Sequence, residues 1–402
     1  MTVIEKRRKH KSSVLILGSG IAGITAAERL GNAGVQVHLV EKETDIGGHI
    51  REMGCKAADV CLRCNVCVAN KILRVLHVTP NVFLYTRTQL AQLLQGKNGH
   101  RFTAVLTHQS SKEQNAQFHV SPRLIHSPLY TDSKLAKAGM MAGAGPARKA
   151  QSVVDVDYII IAIGYEPYNP TENSSYGYGH IPNVITAIDA ERQLSADSRI
   201  TRVSDSQLPG RIAFIQCVGS RTWEIYRRPE DTDYCSTVCC SYALRMARQM
   251  KYHSGNPDIT IFYMDIQNFG KGFNAFYSNC KSNMNFVRAR PCEIKAGKNG
   301  MVLIRYAPEN SGSQDKTCVC ESEFDLVVLS VGMRPPADSR ALADILGVPL
   351  DEHGFFGLKG ASDFPDLQKR GIFAIGASES PKDIAGCIAQ AKSVSAEVIA
   401  SH

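Results

Sequence analysis

Cys217, Cys235, Cys239 and Cys240 are the residues of this chain best suited to redox chemistry. Cys217 closes the apolar run 211–217, Cys235 and Cys239 stand four apart and so share one face if their segment is helical, and Cys240 lies beside them. Four converging thiols are the ligand set that an Fe–S cluster needs, and a cluster's negative charge gains from a helix N-terminus and from Arg221, Arg227 and Arg228 nearby. The spacing is not that of a ferredoxin, so buried structural cysteines or a transient disulfide also fit the pattern. A second set, Cys55, Cys61, Cys64 and Cys67, reads C-x5-C-x2-C-x2-C and begins seven residues after Gly48. Two consecutive C-x2-C steps suit a cluster-binding loop, yet no proline follows Cys67, and a redox-active dithiol, zinc or inert packing are alternatives. Cys280, Cys292, Cys318, Cys320 and Cys387 read as packing residues, with Cys318 and Cys320 too close in an expected hairpin to count as a site.

A phosphate-binding turn precedes both sets. Gly18-Ser19-Gly20-Ile21-Ala22-Gly23 follows the apolar run 13–17 and opens a helix, and Glu41 closes the next apolar run. Gly18 permits the tight turn, Gly20 lets the backbone approach a pyrophosphate, and Gly23 lets helix and strand close up. The helix start adds unpaired N–H groups and a positive dipole end. Glu41, eighteen residues beyond Gly23, is placed to accept hydrogen bonds from an adenosine ribose. Both FAD and NAD carry an ADP half, so the turn alone does not choose between them. No general base or Ser/His/Asp arrangement emerges, because the twelve histidines are scattered.

The elements that must position these residues are those of an α/β protein. Residues 13–17, 18–34 and 36–40 form a strand, a glycine-rich turn with a helix, and a second strand. The runs 156–163 and 324–331 read as buried strands that stop at a ligand, each followed by a glycine. A second strand–turn–helix unit spans 211–217, 236–251 and 259–264, and the chain closes with a strand at 371–375 and a helix from 384. The expected division is a basic tail (1–12), a discontinuous first domain (13–205 and 326–402) and an inserted domain (206–325). A chain of 402 residues, 44% hydrophobic and 21% charged, holds sizeable cores and is not disordered. The net charge of +8 is spread along the chain apart from Lys6–Lys11, which reads as a solvated tail and argues against a nucleic-acid partner. No run is long and apolar enough to span a membrane or to direct export, so cytoplasmic placement is expected, where thirteen cysteines point to metal or redox chemistry before disulfides.

Distant segments resemble the two-dinucleotide-binding-domain flavoproteins, thioredoxin reductase among them: Gly47-Gly48, Ile161-Ala162-Ile163-Gly164, and Ile375-Gly376-Ala377 with Asp383-Ile384. The resemblance implies a Rossmann-like FAD domain with an inserted second Rossmann-like domain, and FAD as the cofactor. It places Gly47 and Gly48 after the ribose-binding acid, Ala162, Ile163 and Gly164 at the crossing between domains, and Gly376, Asp383 and Ile384 near the flavin ribityl and ring. Ile21, Ala22, Lys42 and Val82 complete the expected cofactor-binding set. Asp383 also reads as an N-cap of the final helix.

Cys217-Val218-Gly219-Ser220-Arg221, Tyr234-Cys235-Ser236 and Val238-Cys239-Cys240 closely resemble the A subunit of heterodisulfide reductase, as do Tyr176-Gly177-Tyr178-Gly179 and Pro182-Asn183-Val184-Ile185-Thr186. In that family the four matching cysteines bind a [4Fe–4S] cluster beside FAD. The resemblance therefore implies one cluster at Cys217, Cys235, Cys239 and Cys240, while a second at Cys55, Cys61, Cys64 and Cys67 is an expectation from spacing. Larger members carry a ferredoxin-like insertion and added C-terminal cluster domains, but residues 121–155 contain no cysteine and the chain ends after the expected FAD-completing helix. It resembles the short form associated with cytoplasmic sulfur oxidation, and more loosely the related subunit of quinone-interacting membrane-linked complexes. The same resemblance implies an electron-transfer subunit that works with other subunits of such a complex and forms a homodimer. The inserted domain offers only Gly219 where a dinucleotide turn would stand, so a cluster is expected in that position. Two other readings are a pyridine-nucleotide-dependent disulfide reductase using Cys64 and Cys67, and a scaffold that binds FAD without catalysis.

Overall fold

A strand buried at every position requires a sheet covered on both faces, and Ser13–Leu17 is such a strand. The computed structural model describes residues 12–97, 99–109, 151–222, 228, 231–267, 269–308, 319–357 and 371–401. The basic tail apart from Ser12, most of 109–117, the weak helix or loop expected at 134–152 up to residue 150, Arg227 and Cys318 lie outside those residues.

The chain begins β1 (Ser13–Leu17), α1 (Ile21–Asn32), β2 (Gln36–Val40), α2 (Val66–Leu76) and β3 (Val82–Tyr85), and then forms β4 (Thr88–Gln95), β5 (Phe102–His108), β6 (Gln151–Val156) and β7 (Tyr158–Ile161). Val14 and Ile16 pack towards α1, while Leu15 and Leu17 face the opposite core with Leu106 and Val156. That alternation explains why β1 carries an apolar residue on both faces from Val14 onwards. The apolar run 156–163 is two strands: Val156 ends the antiparallel β4–β5–β6 sheet and Tyr158 starts a parallel strand beside β1. Asp157 makes the break, its carboxylate accepting from the Ser13 N–H at 2.9 Å.

After β8 (Glu166–Pro167) come β9 (Val184–Thr186), α3 (Ala187–Asp197), β10 (Arg211–Val218), α4 (Cys239–His253), β11 (Asp258–Tyr263), α5 (Phe273–Asn283) and β12 (Asn285–Arg288). Thr186 and Asp189 form a capping box that starts α3. An antiparallel trio follows, β13 (Pro291–Ala296), β14 (Val302–Tyr306) and β15 (Cys320–Phe324), then β16 (Leu326–Val331), β17 (Met333–Arg334), α6 (Ser339–Leu346), β18 (Ile372–Ala374) and α7 (Ile384–Ala400).

Two five-stranded sheets result, ordered β18-β7-β1-β2-β3 and β12-β11-β10-β16-β9, with all pairs parallel. The division expected at 206 and 326 is corrected by the second sheet. β9 and α3 precede residue 206, β16 follows 326, and β9 pairs with β16, which pairs with β10. The chain crosses between sheets at β8 and β17, which pair with each other. Sequence pattern misplaced the boundary because β9 is three residues long, too short to show a period. Among the described residues no helix is long and apolar enough to cross a membrane.

Candidate functional site

The first candidate site lies at the C-terminal edge of the first sheet, where open α/β sheets bind ligands. Gly18 has φ +98°, and a Cβ there would stand 2.4 Å from the Ala162 carbonyl oxygen, while one at Gly23 would stand 1.9 Å from that of Gly18. Only glycine fits either position, and the result is the close contact of β1, α1 and the start of the 162–164 crossing. By contrast a Cβ at Gly20 or at Gly164 meets nothing within 4 Å. These positions border open space, so the backbone there is free to approach a ligand. Helix α1 begins at Ile21 with no side chain capping it, leaving its first N–H groups for an anion. Gly47 donates to the Ser19 carbonyl at 2.9 Å, and Gly48 closes on Gly20 from the far side. Gly376 packs between Ala22 of α1 and Cys387 of α7, which joins the starts of the two helices. This cradle, walled by glycine and open at Gly20 and Gly164, fits the pyrophosphate and ribityl of FAD.

The acidic and polar residues of the cradle are held as follows. Glu41 is buried and accepts from the Ser19 N–H at 2.9 Å, from the Ser19 hydroxyl, and from the Glu43 N–H at 3.0 Å. Its oxygens are thereby fixed with acceptor capacity left for a ribose hydroxyl. Lys42 pairs with Asp338 at 3.0 Å. Val82 pairs in register with Val37 and packs near Gly31, at the end of the sheet remote from Gly18. The residues of that region beside Glu41 are Tyr85, whose carbonyl accepts from the Glu41 N–H at 2.8 Å, and Thr88, whose N–H donates to the Glu41 carbonyl at 2.9 Å. Ile163 is half-buried in the core, and Ile384 packs on the α1–α7 core. Asp383 caps α7, accepting from the Gly386 N–H at 2.7 Å, which is the capping role that its position suggested.

Tyr165, which the sequence did not mark, follows Gly164. Its ring stacks on His49 with centroids 4.5 Å apart, and His49 Nε2 lies 3.1 Å from its carbonyl oxygen. Burial pushes its phenol pKa upward, and the thiols of Cys239 and Cys387 add to the shift. Tyr165 touches His49 and immediately precedes β8, through which the chain passes to the second sheet.

The second candidate site is the cysteine quartet. Cys217 is the last residue but one of β10, with φ +58°, Cys235 lies on the loop before α4, and Cys239 and Cys240 open α4. Cys217, Cys239 and Cys240 are buried and Cys235 is partly exposed. Burial raises all three buried thiols, Cys240 to about 12, and in each case the nearby thiols of the quartet raise it further. The quartet gathers at one end of the second sheet, with Cys217 near the end of β10, Cys239 and Cys240 at the start of α4, and Cys239 Sγ 3.8 Å from the carbonyl oxygen of Val331 at the end of β16. Arg221 and Arg290 oppose the shift at Cys217, Arg221 also by a hydrogen bond. Thr237, in the left-handed region at φ +59°, donates its N–H to Cys235 Sγ at 3.3 Å, and Val238 follows in the right-handed helical region. Such alternation turns successive N–H groups towards an anion, as at many Fe–S sites. Among the described residues no group of three or more His, Cys, Asp or Glu has the arrangement of a single-ion site. A cluster does not demand that arrangement: each thiolate binds a different iron, so its sulfurs stand farther apart than the roughly 4 Å of a tetrahedral zinc site. The donor set, two guanidinium groups and the turned backbone fit a [4Fe–4S] cluster. Gly219 is closed to a dinucleotide in another way, since a Cβ there would lie 2.0 Å from the Tyr168 ring.

The set Cys55, Cys61, Cys64 and Cys67 lies at the surface, with only Cys64 partly covered. Its loop is strapped to α4. Arg245 Nε donates to the Leu62 carbonyl at 2.8 Å, Gln249 to that of Cys55 at 3.0 Å, and Arg248 pairs with Asp59 at 2.9 Å. Lys56, buried within the loop, forms an ion pair with the equally buried Glu191 of α3, whose other oxygen accepts from Tyr242 at 2.7 Å. Nothing in the sequence marks Lys56 or Glu191 as buried, because their burial comes from packing of segments far apart in the chain.

The paired parallel sheets, the glycine cradle and the crossing at Gly164 define the class as a flavoprotein fold of the thioredoxin reductase type. Thioredoxin reductase of Lactococcus lactis superimposes with a TM-score of 0.54 at 15% identity, covering 98% of this chain and all of that one. Residues 16–64 match the family described as NAD(P)-binding Rossmann-like domain. Within that class, the chain is similar over most of its length to A subunits of heterodisulfide reductase. It is 31% identical over 426 residues to the CoB–CoM heterodisulfide reductase iron-sulfur A subunit 2 of Methanopyrus kandleri, covering 95% of this chain. It is also 31% identical over 431 residues to the corresponding subunit of Methanocaldococcus jannaschii, covering 96%. The chain spans 63% and 64% of the length of these relatives.

Proposed function

We propose that this chain is the FAD- and iron–sulfur-carrying electron-transfer subunit of a cytoplasmic heterodisulfide reductase-like complex, an oxidoreductase component acting in oxidative sulfur metabolism with partner subunits, and itself a homodimer. The single observation that carries the reading is the convergence of Cys217, Cys235, Cys239 and Cys240 beside a dinucleotide cradle, joined through Tyr165. Bound FAD supplies a centre that exchanges electrons in pairs or singly, and a cluster supplies one that exchanges them singly. In this reading Gly20, Gly48 and Gly164 give the cofactor backbone contact, Gly18, Gly23, Gly47 and Gly376 shape the cradle by close packing, and Glu41 holds its ribose. Burial of Cys217, Cys239 and Cys240 excludes water, and Arg221 and Arg290 balance the charge that the quartet gathers. A second cluster at Cys55, Cys61, Cys64 and Cys67 belongs to the same reading: its surface position suits exchange with a partner.

The test is iron, sulfide and flavin analysis of anaerobically purified protein with its visible and EPR spectra. Cys239→Ala is expected to lower iron while FAD stays bound. An unchanged iron-to-flavin ratio would remove the ligand assignment, and flavin without iron in the parent protein would remove the cluster itself.

A further inference from the structure

Two buried polar side chains near the quartet have no hydrogen-bond partner among the described residues. Gln216 immediately precedes Cys217, is 4% exposed, and has no hydrogen-bond partner for either Oε1 or Nε2 among the described residues. Ser330 of β16 is 2% exposed, and its hydroxyl is likewise without a partner among them. Ile212 and Phe214 of β10 and Leu326 and Val328 of β16 share a core with Ala243, Leu244 and Ala247 of α4. By strand alternation Gln216 and Ser330, two residues further along each strand, face the same side, beneath the first turn of α4. That turn carries Cys239 and Cys240, and Cys239 Sγ lies 3.8 Å from the carbonyl oxygen of Val331, the neighbour of Ser330. The β10–β16 register shifts between Ile215 and Val218, the interval that holds Gln216 and Cys217.

A buried polar group left unpaired is costly, and here two stand on adjacent strands, on the sheet face that α4 covers. We infer that the Gln216 amide and the Ser330 hydroxyl are hydrogen-bond donors to the sulfur atoms of the cluster held by Cys217, Cys235, Cys239 and Cys240, and that they set its reduction potential. The inference rests on the cluster reading proposed for the quartet. Neither residue is a ligand. Each acts by stabilising the more negative, reduced state, because a donor to sulfur gains strength as charge on the sulfur grows.

The test uses the full chain purified without oxygen, as Gln216→Met, which keeps the side-chain size, and Ser330→Ala, which removes one oxygen. Iron and FAD per chain are expected to match the parent. The midpoint potential in an EPR-monitored titration is expected to fall, so that the reduced-to-oxidised ratio at a fixed poise drops about tenfold, equivalent to about 59 mV for a one-electron couple. Couplings to exchangeable protons, read by ENDOR after transfer to heavy water, are expected to weaken in step. Parental potentials and couplings in both variants, as when a trapped water satisfies the pair, would overturn the inference while leaving the cluster in place. Loss of folding in Gln216→Met leaves the decision to Ser330→Ala. A parent protein that holds FAD but no iron would overturn this inference and the cluster reading together.

Discussion

At the residue scale, the glycine turn was legible because its demands are local. Gly18 and Gly23 are required by contacts within one βαβ unit, and the same contacts predict that Gly23→Ala abolishes FAD retention. Its methyl would fall 1.9 Å from the Gly18 carbonyl oxygen, and only displacement of α1 relieves that. Flavin absorbance per chain after gel filtration reads the loss. The quartet was marked by spacing together with the family resemblance, whereas Gln216, Ser330 and Lys56 carried no mark, since a polar residue's burial depends on what distant segments bring to it. His38 gives a second prediction. Burial, with help from His100, lowers its pKa to about 4. Its Nδ1 lies 2.9 Å from the Tyr85 hydroxyl and its Nε2 3.0 Å from the Gln36 amide nitrogen, which suits a neutral ring accepting at Nε2. Between pH 6.5 and 4 the unfolded chain takes up a proton at this position that the folded chain refuses. This contribution to stability is therefore full above pH 6.5 and lost as pH falls towards 4, by ~3 kcal/mol. Urea unfolding of His38→Gln is expected to show a correspondingly flatter pH profile over that interval.

At the element scale, the parallel strands and the helices α1, α4 and α7 were legible from buried apolar runs and helix-opening residues, but strand ends were not. The run 156–163 reads as one strand because periodicity does not register a change of sheet, which here falls on Asp157. Likewise β9 escaped notice and moved the apparent domain boundary. The strap between the second cysteine loop and α4 is also invisible in sequence, because it joins backbone carbonyls to side chains some 180 residues away or more. Its stability depends on a pair buried at both ends. Removing one partner of such a pair costs about 3–5 kcal/mol, because the other charge stays buried and uncompensated. Lys56→Met is therefore expected to lower the unfolding midpoint and to open the 54–65 loop to limited proteolysis. The double variant Lys56→Met/Glu191→Leu should recover much of the loss, and a double variant no better than the single would show that the pair contributes little.

At the scale of the whole molecule, the fold was legible in outline, as two Rossmann-like sheets, because each is announced by its own strand–turn–helix unit. How the two halves meet was not, since the contacts that join them, Glu52 with Arg192, His49 with Tyr165 and Thr237 with Pro381, have no common sequence signal. A homodimer would appear in sedimentation velocity as a single species of twice the chain mass, and a species of one chain mass would remove that part of the proposal. The β8–β17 ribbon and the loop strapped along α4 hold the halves at two separate points. Two fastenings predict a body that does not turn at the crossing. Electrons crossing it would travel a path of constant length, so their transit should be indifferent to glycerol or sucrose in the solvent, where a swinging carrier would slow in proportion to the drag.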